Sequence, residues 1–168
     1  LFPEFAKAVG KFMNQTSAEE SELNPTYNVN QAIKKINNLI SSDGNISYWP
    51  GEHNHSLYLN AYALHFLVEC DKKGFEINKN NKSKLISLCT IKSSANLTEK
   101  ESMNEISNLV ENGKQYISRE KIYALYVLAL AGSPSKSSMN YCKMSKSKLH
   151  NSSQYILAAT YALCGDMK

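Results

Sequence analysis

The run from Leu57 to Cys70, LYLNAYALHFLVEC, is apolar on almost every side of a helix. It lies directly behind a loop whose Pro50 and Gly51 suit no helix interior. A helix without a polar face has to be enclosed by other helices rather than laid on a surface. At about 14 residues the run is shorter than the roughly 20 that a bilayer crossing needs. The expectation is a central core helix, capped by Ser56 and stopped by Gly74. The loop that delivers it carries the only Trp of the chain, Trp49, with Tyr48, Glu52, His53 and His55 around it.

The other segments have to supply the neighbours of that helix. Residues 1–19 read as a helix with Pro3 in its first turn and Phe2, Phe5, Val9, Phe12 and Met13 on one face. Thr26 is the expected cap of a second helix, whose Val29, Ile33, Ile36 and Ile40 form a narrow apolar stripe ended by Ser41-Ser-Asp-Gly44. Further helices are expected over 81–92, from a capping box at Ser118 through Ile122 to Ala131, over 137–145 and over 151–163. Residues 93–114 read either as one polar helix closed by Asn112-Gly113 or as an ordered loop. No stretch alternates with period two, so the fold class is all-α. Tyr-Ala-Leu occurs at Tyr62, Tyr123 and Tyr161, each time in the most apolar helix of its unit. That echo points to helical-hairpin repeats, which bury their faces against neighbouring pairs in a superhelix or a closed toroid.

A chain of 168 residues fits one domain, and its start at Leu1 rather than Met suggests a piece of a longer protein. Its net charge of +4 is mild, and Arg119 is its only arginine. Nucleic-acid readers rely on arginine forks, so no nucleic-acid partner is expected. No signal peptide or membrane span is visible, and no direct membrane contact is expected of this segment. Cys70, Cys89, Cys142 and Cys164 form no Cys-x-x-Cys, and none has a His at zinc-ligand spacing. They read as buried free thiols, and no metal or cofactor is expected.

The densest polar and aromatic chemistry falls between Asp43 and His55. Asp43 and Glu52 are the residue types of a glycoside-cleaving acid pair, although Asp43 also suits the turn before Gly44. His53 and His55 are surface histidines unless a third ligand joins them. Tyr48 with Trp49 either plugs the end of the bundle or presents an interaction loop, with Glu52, His53 and His55 beside it. His65, among Leu64, Phe66 and Leu67, reads as a satisfied core histidine. There is no Gly-rich phosphate loop and no Gly-x-Ser-x-Gly, so no catalytic residue is assigned.

Asp43-Gly-Asn-Ile-Ser-Tyr-Trp-Pro-Gly51, Tyr58-Leu-Asn-Ala-Tyr-Ala-Leu-His-Phe-Leu-Val-Glu69 and Lys72-Lys-Gly-Phe75 follow one another in a specific order. Together they resemble the thioester domain of bacterial, Bacteroidetes-type alpha-2-macroglobulins. The family pattern there is a Gly-Gly-Phe-x-Tyr-Trp-Pro-Gly loop before a helix with Thr-x-Tyr-Ala-x-His-Phe-Leu-x-Glu-Ala. Tyr123-Ala-Leu-Tyr-Val-Leu-Ala-Leu-Ala-Gly-Ser-Pro134, Met139-Asn140 and Leu157-Ala-Ala-Thr-Tyr-Ala-Leu-Cys-Gly165 resemble its second block. The resemblance covers residues 26–166 and implies an alpha/alpha toroid.

It also implies a role in secreted or periplasmic protease traps, often lipid-anchored, in which a buried Cys–Gln thioester acylates an attacking protease. The partners implied are the other domains of the parent protein and, through it, the target proteases. None of the four cysteines stands in the family's Cys-x-Glu-Gln motif. Either that motif lies upstream of Leu1 or the parent has none, and this segment is a non-enzymatic scaffold in both cases. A helical-repeat interaction module and a helical-toroid carbohydrate enzyme are the alternatives.

Overall fold

The computed structural model describes residues 24–48, 56–94, 110–111 and 114–165. The expected helix over 1–19 lies outside them. Among the described residues six α-helices follow in chain order: α1 (Pro25–Leu39), α2 (Leu57–Lys72), α3 (Lys79–Lys92), α4 (Arg119–Leu130), α5 (Lys136–Met144) and α6 (Asn151–Leu163). Lys146–Lys148 forms a 3-10 turn between the last two. The all-helical expectation holds apart from one short antiparallel pair, β1 (Val110–Glu111) with β2 (Lys114–Gln115), in the register Val110 to Gln115 and Glu111 to Lys114. The rest of the stretch read as a polar helix or an ordered loop, residues 95–109 and Asn112-Gly113, lies outside the described residues.

The starts of α1, α2, α3 and α4 are set by side-chain acceptors. Asn24, not Thr26, caps α1: Pro25 lacks an N–H and suits the first helical position, so the cap moves ahead of it, and Asn24 Oδ1 accepts from Thr26 N at 3.0 Å. Asn78 caps α3, which starts two residues ahead of the expected 81, and accepts from the backbone N–H groups of Asn80 and Asn81 at 3.0 and 3.1 Å. Ser56 caps α2 as expected, accepting from Leu59 N. Ser118 caps α4 through Glu120 N at 3.2 Å. Its box is not reciprocal, because the third helical position is Lys121, whose Nζ donates to Ser94 O instead. α2 ends in a paired turn: Gly74 N donates to Asp71 O and Phe75 N to Cys70 O, both at 3.0 Å, with Gly74 at φ +82°. Gly132 and Ser133 close α4 by the same pairing.

The three helices with Tyr-Ala-Leu lie side by side, α2 against α4 and α4 against α6. α3 packs across both α2 and α4. Among the described residues α4 lies between α2 and α6, and the Leu57–Cys70 run is a core helix as expected, with Ala61, Leu64 and Leu67 fully buried. Ala124, Leu125, Val127 and Leu128 of α4 are all fully buried, whereas α2 leaves Tyr58 and Tyr62 exposed. Apolar residues all round a helix call for enclosure, but which helix ends in the middle depends on how many neighbours the rest of the chain brings to it. α5 is fastened to its neighbours by polar contacts. Lys121 of α4 lies over the Tyr141 ring, and Tyr161 of α6 donates to Asn140 Oδ1 at 2.7 Å.

Candidate functional site

The segment that leads to Tyr48 is pinned to α2 by a buried amide. Asn60 is fully buried in the middle of an apolar helix. Its Oδ1 accepts from Ile46 N at 2.8 Å, and its Nδ2 donates to Asn45 Oδ1 at 3.4 Å. Lys92 of α3 donates to the same Asn45 oxygen at 3.1 Å. A buried amide has to find partners, and here the partners are the loop. Gly44 lets the loop lie close: its φ is +87°, and a Cβ there would come within 3.1 Å of Lys84 Cβ. Ile40 and Ile46 form a bridge that closes the turn between them.

Asp43 belongs to that turn. Ser41 Oγ and Asn45 Nδ2 both donate to its carboxylate, and these bonds hold its pKa down at about 2. A glycosidase acid must carry a proton at working pH, which this environment disfavours. Tyr48, two residues beyond the pinned Ile46, stands 60% exposed. Trp49, Glu52, His53 and His55, the other members of the expected interaction loop, lie outside the described residues. Among the described residues no group of three His, Cys, Asp or Glu is placed to hold a metal, and no helix is long and apolar enough to cross a membrane.

Beside the loop anchor, α2 and α4 form an aromatic seam that was only partly legible. Tyr58, Tyr62 and His65 recur at i, i+4 and i+7 on one face of α2. Tyr58 stacks on Tyr62 with centroids 6.0 Å apart and meets Tyr123 of α4 at 5.7 Å. His65 contacts Tyr126 edge-on, and its Nδ1 lies 2.9 Å from the Tyr123 hydroxyl. Burial, with the neighbouring tyrosines, pushes the Tyr123 phenol up to about 12. The hydroxyl therefore keeps its proton at neutral pH, and a hydroxyl and a neutral imidazole can bond in either direction. His65 is the satisfied histidine that its apolar setting implies.

The cysteines are all free. Cys70, Cys89 and Cys142 are buried, while Cys164 is half-buried, so the expectation of buried thiols holds for three of the four. Burial pushes the Cys89 thiol up to about 12 and raises those of Cys70 and Cys142. These thiols stay protonated and are poor nucleophiles in the folded chain. The geometry offers a rigid helical platform, an aromatic seam with two exposed rings, and a pinned loop that leads outward to Tyr48. No family model matches this chain, and no characterised protein or solved structure matches it either.

Proposed function

We propose that this chain is the helical scaffold of the thioester-type domain of an alpha-2-macroglobulin-like protease trap. One observation carries the reading: the two sequence blocks that resemble that family meet side chain to side chain. His65 of the first block is bonded to Tyr123 of the second at 2.9 Å, and Ala63, Leu64, Ala124 and Leu125 share one core. Segments this far apart in the sequence have reason to keep both motifs only if the motifs pack together. The layer α2–α4–α6, covered by α3, is also compatible with part of an alpha/alpha toroid.

On this reading the chain works outside the cytoplasm, in the periplasm or at the cell surface, within a longer parent. A protease cuts a bait segment of the parent, and the ensuing rearrangement exposes an internal thioester. A thioester is an activated acyl group, inert while dry and open to attack by a protease amine or hydroxyl once exposed. The residues described here transfer no acyl group. They hold the Tyr48 loop and a dry helical floor in place. The test is to mix the parent with an endopeptidase and look for an adduct that survives denaturant and reductant. Such an adduct supports the trap. A fully active protease with no adduct contradicts it.

The second reading, a helical-repeat interaction module, is favoured by Tyr58 and Tyr62, which stand 45% and 58% exposed beside one another. Tyrosines present large, rigid, amphipathic surface at low entropic cost. That reading requires a peptide partner whose binding is lost in Y58A/Y62A while the fold is kept.

A further inference from the structure

A cleft of about 530 Å³ opens where the segments entering α4 and α6 come together. Ile117 N donates to Lys148 O at 2.8 Å and locks the two segments to each other. Three basic side chains, those of Arg119, Lys146 and His150, line the cleft, and no Asp or Glu does. Arg119, the only arginine of the chain, makes no ion pair among the described residues: the two ion pairs there are Lys72 with Glu69 and Lys82 with Asp71. Its Nη2 lies 3.4 Å from His150 Nδ1. A guanidinium can only donate, so Nδ1 accepts and the His150 proton sits on Nε2. Tyr116 stacks on the His150 ring at 4.2 Å, nearly parallel, and fixes its plane.

The first turn of α6 adds backbone donors. Its N-cap, His150, makes no side-chain capping bond, and the turn holds no acidic residue. Asn151 and Ser152 of that turn line the cleft. The cleft lining thus combines a guanidinium, an ammonium, an imidazole and the first turn of α6. No carboxylate competes for them.

We propose that this cleft binds a tetrahedral oxyanion, a phosphate or sulfate group, with Arg119 as its principal ligand. Donors set on two segments suit an anion with oxygens on several sides better than a planar carboxylate with two. The guanidinium fork and the helix N-terminus are each suited to such groups. The cleft exceeds the size of the bare ion, which leaves room beside Tyr116 for the organic part of an ester. None of the residues involved stands in a quoted family motif, and the test below reads anion binding alone, so the site stands or falls independently of the trap reading.

The test is an NMR titration of the 168-residue chain with inorganic phosphate, against sodium chloride at matched ionic strength and against acetate. The reporters are the amides of Asn151 and Ser152 and the ring of His150. Phosphate is expected to shift them saturably, and chloride is not. Arg119→Gln is expected to weaken binding about tenfold or more, as loss of a charge-assisted bond does, while K143Q leaves it unchanged. Arg119 is exposed, so the variant should keep the amide spectrum of the α4 core; K146Q gives a second, smaller loss. Equal shifts with chloride, or binding that R119Q does not weaken, would overturn the site. Acetate binding as tightly as phosphate would overturn the assignment to tetrahedral oxyanions.

Discussion

Leu125 and Leu163 end the same tripeptide, Tyr-Ala-Leu, in neighbouring parallel-packed helices, yet one is fully buried and the other is 48% exposed. Ala124 is buried and Ala162 is exposed in the same way. α4 has helices on both sides, whereas the far face of α6, with Tyr155 and Leu163, has none among the described residues. The motif itself therefore does not fix the role of its residues. An Ala-Leu pair contributes to stability only where a neighbour excludes water from it, at roughly 25 cal/mol per Å² of apolar surface covered.

The largest expected effect tests that contrast directly. Leu125→Ala should cost about 2–5 kcal/mol in urea unfolding, because it opens a cavity in a filled core. Leu163→Ala should stay within about 0.5 kcal/mol. An equal loss for both would mean that the edge of α6 is covered in solution and would break the comparison.

Asn60→Ala comes next. It leaves Ile46 N without its acceptor and unpins the Tyr48 loop, at about 1–3 kcal/mol. Hydrogen exchange at the Ile46 amide should accelerate by more than the global loss accounts for. Exchange that follows global stability alone would show that the loop is held elsewhere.

The tyrosines of the triplets sharpen the contrast further. Tyr123→Phe removes a half-buried bond to His65 and should cost about 0.5–1.5 kcal/mol. Tyr161→Phe, whose bond to Asn140 is exposed, should cost less than about 0.5 kcal/mol. Burial raises the Tyr123 pKa from 10.0 to about 12. Its contribution is therefore complete below pH 10 and is lost as pH rises through 12. Y123F should remove that part of the alkaline loss, and a denaturation series in this window measures it.

The smallest effect belongs to Asp43, on the exposed turn. Its pKa is lowered from 3.8 to about 2, so the stabilisation is present above pH 3.8 and is lost as pH falls through 2. Asp43→Ala should therefore lower stability slightly at neutral pH, flatten the acid limb between pH 3.8 and 2, and leave stability below that range nearly unchanged.

Signals that act within about one helical turn were legible in the chain itself. Ser56 and Gly74 bound α2, Gly132 stops α4, and α6 runs from Asn151 to Leu163 as its pattern predicts. Caps were misplaced where two acceptors compete: Asn24 takes the role expected of Thr26 because Pro25 stands between them. The contacts that build the candidate sites join residues far apart in sequence. Asn60 reaches Asn45 and Ile46, His65 reaches Tyr123, and Arg119 reaches His150. No local rule ranks those pairings. The polar Asn60 within an apolar helix and the Tyr58–Tyr62–His65 spacing were nevertheless visible hints of a buried amide and an aromatic face.

The most direct test of the scaffold assignment is the intact mass and free-thiol count of the full-length parent, with and without methylamine. Methylamine opens a thioester by aminolysis, so the account predicts one added methylamine and one newly exposed thiol, both mapping outside residues 1–168. No adduct and no new thiol would contradict it, leaving a helical domain that acts through its surfaces alone.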